Sequence, residues 1–268
     1  MTLTDAAPRW IDLEGAVNAR DLGGVPLCQG GAIAPGRLLR SDNLQDLSAA
    51  DVAHLVDDHG VRAVVDLRTG VEVRLEGPGP LLAHDRVVVE HRSLYPEAGE
   101  HTDVVDADTI VPWQMGIGGA PIPGESPTVQ TYMGYLEHRP DSVIAALRTI
   151  ADPPEGGAAL VHCAAGKDRT GIVVALALDA AGADRDAIVA DYALTAERIE
   201  AIVARLASSP TYARDVEGHA ADRHAPRPGS MRRILELLDE RHGSPAAWLR
   251  EQGFEDEALA ALRARLTA

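Results

Sequence analysis

The chain is almost without lysine: of its 25 basic residues only Lys167 is one, and the rest are arginines. Phenylalanine occurs once and aromatic residues make up 3% of 268 positions, so the core must be aliphatic. Cysteine is scarce too. Cys28 and Cys163 are the two present, too few for a disulfide framework, and both read as thiols in a reducing compartment. Positive charge is outweighed, 41 acidic residues against 25 basic ones giving a formal net charge of −16. A field of that sign repels polyanions, which argues against nucleic acid as a partner and against broad adhesion to anionic membranes. Salt confines such a field to about 8 Å, so a small basic pocket can still exist inside the acidic envelope. No apolar run approaches the roughly 20 residues needed to cross a bilayer. The opening "MTLTDAAPRWIDLEG" has neither the basic n-region nor the apolar h-region of a secretory signal. A soluble, cytoplasmic monomer is expected.

What is there is a hydrophobic content of 46%, enough to bury a real core. Short β-branched runs alternate with amphipathic stretches, the pattern of an α/β fold with a mostly parallel central sheet flanked by helices. Strands are expected at 36–42, 61–67, 85–91 and 157–163. Helices are expected at 47–60, with a Ser cap and a closing Gly, and at 128–138 and 140–152. Further helices are expected from about 169 and over 184–209. The C-terminal third reads as a helical region capping the sheet, so residues 1–268 form one domain. Two segments break the pattern: the Gly/Pro-rich 111–127, and the polar 208–230 with His219 and His224. Loops of that length in a compact fold are lids, substrate-facing walls or disordered. Two histidines in such a stretch do not make a metal site.

The chemistry concentrates in "HCAAGKDRTG", residues 162–171. A buried strand ends at Cys163, a short turn follows, and an apolar helix begins near Arg169. Such a turn aims successive N–H groups at one spot and adds the positive end of a helix dipole, which makes an anion site. Ala164, Ala165 and Gly166 are small enough for close backbone approach, and Arg169 supplies a planar fork for two phosphate oxygens. Helix N-termini and cations lower a thiol's pKa to about 3.5–7.5, so Cys163 is a candidate nucleophile. A cysteine ending a strand is otherwise an ordinary core hydrophobe, and a lone C-x5-R is weak evidence. The full string is stronger: His162 before the cysteine, Gly166 three residues after it, and Thr170 directly after the arginine. A sulfurtransferase or arsenate reductase with a similar loop would not call for Thr170. A phosphate-binding adaptor would be expected to lack Cys163, Asp168 or Arg169.

The string matches the cysteine-based protein tyrosine phosphatase signature HCxxGxxR[ST]. With "NARDLGG" (18–24), "LLRSDNL" (38–44) and "VVDLRTG" (64–70), the chain resembles bacterial tyrosine phosphatases of the PtpB type, relatives of dual-specificity and lipid phosphatases. The resemblance implies a phosphomonoester hydrolase with a cysteinyl-phosphate intermediate and no metal or cofactor. Cys163 would attack phosphorus, Arg169 and the N–H groups of 164–169 would hold its oxygens, and Thr170 would donate to the sulfur. His162 would orient the loop and favour the thiolate, or simply be a buried structural residue. No Trp-Pro-Asp motif is present, and the resemblance to PtpB-type enzymes implies that Asp168 inside the loop would be the general acid, with Glu97 as the alternative. Flanking cations favour ionised Asp168, so proton delivery calls for a substrate-bound environment. Lys167 would reach over the pocket rim as a mobile charge for the further phosphates of an inositol headgroup. Substrates are therefore phosphorylated proteins or phosphoinositides. Asn18, Arg20 and Asp21 would brace the phosphate loop or serve N-terminal folding alone. Asp66 and Arg68 end a strand at the sheet edge where α/β sites gather, and Arg139 would contact a second phosphate. Secreted relatives leave open an export route without a cleavable signal.

Overall fold

A computed structural model describes residues 9–96 and 122–268. The strands are β1 (Arg9–Trp10), β2 (Arg20–Asp21), β3 (Leu38–Ser41), β4 (Val61–Asp66), β5 (Val88–His91) and β6 (Ala158–His162). They form one sheet in the order β1-β2-β3-β6-β4-β5. β3, β6, β4 and β5 run parallel, and the short β1 and β2 add antiparallel on one edge. Strand β6, buried along its whole length, lies between β3 and β4. Its last residue, His162, pairs in register with Ser41 on one side and Asp66 on the other. Three strand ends are thus level where the chain enters the turn at Cys163.

The helices are α1 (Ala49–Ala53), α2 (Gly70–Glu76), α3 (Pro127–His138), α4 (Pro140–Ala151) and α5 (Asp168–Ala181). They continue with α6 (Arg185–Leu194), α7 (Ile199–Ala207), α8 (Ala213–Val216), α9 (Pro228–His242), α10 (Pro245–Glu251) and α11 (Asp256–Thr267). Side chains of a strand alternate between faces, and the two cores follow that rule. Ala63, Val65, Ala159 and Val161 join the larger core under α3, α4, α5, α9 and α11, while Val64 and Leu160 join a smaller one with Leu39, Leu55 and Val56. Helix α5 is apolar nearly all round because it lies between the sheet and the C-terminal helices. The α/β architecture and the C-terminal helical cap are as the residue pattern predicts.

Three expectations change in detail. The 184–209 stretch is not one helix: a 3-10 turn at Thr195–Arg198 separates α6 from α7. The cause is visible, because Arg20 Nη2 donates to the Asp191 carbonyl (2.9 Å), the acceptor an unbroken helix would offer to residue 195. The 47–60 stretch starts as α1 under a Ser48–Asp51 capping box and widens into a π-turn at His54–Asp58. The polar 208–230 stretch carries α8, a 3-10 turn at Ala221–His224 and the start of α9. Most of 111–127 and Glu97 lie outside the described residues. Among the described residues no helix is long and apolar enough to cross a membrane.

Candidate active site

The turn after β6 is held from behind through its carbonyls. The backbone N–H of Asn43 donates to the Ala164 carbonyl (3.1 Å). Asn18 Nδ2 donates to those of Ala165 (3.0 Å) and Gly166 (3.3 Å), and Arg40 Nη2 donates to that of Gly166 (2.6 Å). Peptide planes whose C=O groups point to the rear turn their N–H groups forward. Among the described residues, none of the N–H groups of 164–168 donates to a protein acceptor, and Lys167 caps α5 without a side-chain bond. Gly166 is required for two reasons: its φ is +64°, and a Cβ would meet the Ser41 carbonyl oxygen at 2.5 Å. The rear supports are themselves buried. Asp191 accepts from Arg20 Nε (2.9 Å) and Arg40 Nη1 (2.5 Å), and Arg20 Nη1 donates to Asn18 Oδ1 (2.6 Å). Burial and the neighbouring Arg40 pull Arg20 down to about 10, while the two guanidinium groups outweigh burial and hold Asp191 below the usual carboxylate range.

Arg169 is aimed by a carboxylate. Its Nη1 donates to Glu72 Oε2 (2.6 Å) and the Leu67 carbonyl (3.2 Å), and its Nη2 to Glu72 Oε1 (3.0 Å) and Tyr212 Oη (2.9 Å). Glu72 is fully buried and also completes the capping box of α2 with Thr69, whose N–H it accepts at 2.7 Å. Although burial opposes its charge, Arg169 keeps Glu72 ionised at neutral pH, and Glu72 in turn raises Arg169 well above its ordinary value. The Arg169 guanidinium carbon lies 5.7 Å from the centre of the Tyr95 ring.

Cys163, 2% exposed, is at the floor of a cavity of about 240 Å³. It is lined by the turn after β6, Arg169, Tyr95 and Tyr135, and by an apolar wall of Ile199, Ile202, Val203 and Leu206 of α7 with Val216. The Thr170 hydroxyl is buried without a hydrogen-bond partner among the described residues. His162 Nδ1 is 3.4 Å from the Cys163 carbonyl and Nε2 is 3.6 Å from Asp66 Oδ1. Burial pushes His162 down to about 4 in spite of Asp66, so the ring is neutral at pH 7 and fixes the strand end without adding positive charge. Asp168 opens α5 and lines the cavity; Tyr132 Oη donates to its Oδ1. Lys167 also lines the cavity, with Nζ donating to the His224 carbonyl (2.6 Å) and 3.5 Å from Asp168 Oδ2.

Cys163, Ala164, Ala165, Lys167, Asp168 and Arg169 therefore line one cavity, Gly166 and Thr170 belong to the same turn and helix start without lining it, and Asn18 and Arg20 stand directly behind. Other expected residues fall elsewhere. Arg139 does not face the cavity: it is 1% exposed and donates to Asp141, to Ser142 Oγ (2.6 Å) and to the Tyr95 carbonyl (3.2 Å), anchoring the exit of β5. Arg68 is buried against Asp66 (2.7 Å) and the Gly77 carbonyl, so this pair supports His162 and the α2 turn and does not reach a substrate. Asp21 accepts from the N–H groups of Gly23 and Gly36 and so braces the N-terminal turn, not the phosphate loop. Lys167 is tied to the His224 carbonyl of the 208–230 stretch and is not a mobile charge. Sequence reasoning missed Glu72, Arg40, Asp191 and the tyrosines. Thr69-x-x-Glu72 is a capping-box signature that could have flagged Glu72. The aromatic-poor chain also places all five of its tyrosines (95, 132, 135, 192 and 212) in the cavity lining or in hydrogen bonds to the loop and its supports. Among the described residues no group of His, Cys, Asp and Glu is arranged to hold a metal ion.

Comparison with known proteins shows the family. The tyrosine phosphatase family model matches residues 11–268. A tyrosine-protein phosphatase of Nostoc commune is 29% identical over 253 residues, covering 90% of this chain and 78% of that one. The triple specificity protein phosphatase PtpB of Mycobacterium tuberculosis is 30% identical over 279 residues, covering 94% of this chain and 97% of its own.

Proposed function

The chain belongs to the tyrosine phosphatase family and is a protein-tyrosine phosphatase, and from that premise we propose that it works through a cysteinyl-phosphate on Cys163. The observation that carries this reading is the loop with its carbonyls tied to the rear, its N–H groups unpaired, and Cys163 and Arg169 on the cavity side. A tetrahedral dianion fits such a cradle, which acts as a preorganised anion hole.

In the first step Cys163 Sγ attacks phosphorus in line, the P–O bond to the leaving group breaks, and Asp168 passes its proton to the departing oxygen. Arg169 and the loop N–H groups hold the equatorial oxygens throughout. In the second step water attacks the cysteinyl-phosphate, Asp168 takes the water's proton, and the S–P bond breaks to return the thiolate. The unpartnered Thr170 hydroxyl donates to the sulfur as it leaves. His162 orients the strand end.

The apolar α7 wall over a buried floor suits the ring of phosphotyrosine. Phosphoserine and phosphothreonine bring less apolar surface and would react more slowly. Phosphoinositides are a further substrate class, supported by Lys167 on the cavity lining and by the breadth in the name of the PtpB relative. In this reading the whole chain is one phosphatase domain acting as a cytoplasmic monomer, and 208–230 is the lid. Turnover of phosphotyrosine, phosphoserine and phosphoinositide panels by wild type and Cys163→Ser tests it. The variant should be inactive on all while still binding orthovanadate, and retained turnover would remove the mechanism.

A further inference from the structure

Behind Asp168 stands a chain of buried hydroxyls that the reaction as described does not use. Tyr132 on α3 is 1% exposed and its Oη donates to Asp168 Oδ1. Tyr192 on α6 is 2% exposed and its Oη is 2.7 Å from Tyr132 Oη.

We propose that Tyr132, held by Tyr192, positions the general acid by capping Asp168 Oδ1, so that Oδ2 is the oxygen that carries and delivers the proton. This deepens the reading of Asp168 as the acid and rests on it.

The donor order follows from proton counting. A phenol has one proton, and that of Tyr132 is directed at a carboxylate, which when ionised can only accept. Tyr192 must therefore donate to Tyr132. Both bonds run one way, the arrangement in which each strengthens the next. Burial, and then the charge of Asp168, raise Tyr132 well above its ordinary value, so it stays a donor throughout the working pH range. Oδ2 is left beside Lys167 Nζ at 3.5 Å, in a side chain that lines the cavity. When Oδ2 gives its proton to the leaving oxygen, the new carboxylate already has a hydrogen bond at Oδ1, and Tyr132 keeps its own proton. When Oδ2 later accepts the proton of the attacking water, the cap is unchanged.

Other groups face Asp168 as well. Lys167 and Arg169 flank it, Tyr135 and Tyr95 line the same cavity, and His224 approaches from the 208–230 stretch. Of the tyrosines, Tyr132 is the one bonded to the carboxylate. The final residue of the signature string serves this arrangement. A Cβ on Gly171 would lie 3.0 Å from Tyr192 Cδ2 and 3.3 Å from Cε2, so glycine there gives the ring its place.

The test is kcat against pH for wild type, Tyr132→Phe, Tyr192→Phe and Asp168→Asn on phenyl phosphate, a poor leaving group, and 4-nitrophenyl phosphate, a good one. Tyr132→Phe should lose about 10- to 100-fold on phenyl phosphate, the worth of one hydrogen bond to a charged group. It should lose under about 3-fold on the nitrophenyl ester, whose departure needs little acid help. Its basic limb should move to higher pH, since the ionised carboxylate has lost a donor. Tyr192→Phe should shift the same way by less, and Gly171→Ala should reproduce it; these carry the test if Tyr132→Phe fails to fold. Equal losses on both esters with an unmoved basic limb would overturn the positioning role while Asp168→Asn still abolishes that limb. If Asp168→Asn itself keeps the wild-type limb and leaving-group dependence, the acid assignment fails instead.

Discussion

The two sides of the phosphate loop are built from different materials. Behind it are buried charges with fixed partners: Arg20 and Arg40 on Asp191, Arg169 on Glu72, and Asn18 on two loop carbonyls. In front is an apolar wall from α7 and α8, fastened by a few polar contacts. Ser209 Oγ donates to Glu76 and Tyr212 Oη to Glu72, one turn apart on α2, while Lys167 Nζ holds the His224 carbonyl. Removing one member of a buried ion pair costs about 3–5 kcal/mol, whereas a single hydrogen bond to a charged group is worth about 1.5–3 kcal/mol. The rear is therefore the more strongly fastened of the two sides.

Arg169→Lys should strike hardest. It keeps the charge but loses the fork that joins Glu72 to the phosphate, and kcat/KM should fall about 10³-fold on any aryl phosphate. A loss under tenfold would mean the arginine acts only as a charge. Asp191→Asn leaves two guanidinium groups buried against a neutral amide, and urea titration should show about 3–5 kcal/mol less stability. An unchanged midpoint would show that the rear is less tightly paired than its distances imply.

The pH dependence of stability comes next. His162 is pushed down to about 4 from 6.5 by burial, so the unfolded chain takes up a proton there that the folded chain refuses. Stability from the neutral ring is complete above pH 6.5 and is lost as pH falls toward 4, about 3 kcal/mol in all. His162→Asn should flatten the slope of urea midpoint against pH in that window, and parallel slopes would contradict it. The smallest effect belongs to the front. Tyr212→Phe removes one latch, and a bulky iodoacetamide should label Cys163 about 10-fold faster, the lower end of the worth of one hydrogen bond to a charged group. Slower labelling would mean that Tyr212 holds the cavity open.

The same division explains what could be read from the residues alone. The sheet was legible because its strands are short apolar runs whose alternate residues feed two cores, as with Val64 against Ala63 and Val65. The loop was legible because a strand, a small-residue turn and an apolar helix are contiguous in sequence. Glu72 and Asp191 were not, because each meets its partner across about a hundred residues or more, and a buried carboxylate looks like any surface acid until its arginine is found. Arg139 and Arg68 misled for the converse reason. An arginine near a phosphate site suggests anion binding, but local carboxylates occupy both. The break at Thr195 was hidden because apolar spacing continues through it, while Arg20, distant in sequence, donates to the Asp191 carbonyl just ahead of the break.

The central claim is that Cys163, cradled by the loop N–H groups and Arg169, carries the phosphoryl group between the two steps. Rapid acid quench during turnover of an aryl phosphate, followed by mass spectrometry of the peptide spanning 162–171, measures it directly. The account predicts one phosphoryl group on Cys163 in wild type and none in Cys163→Ser. Steady turnover with that peptide never phosphorylated, or the label found on another residue, would contradict it.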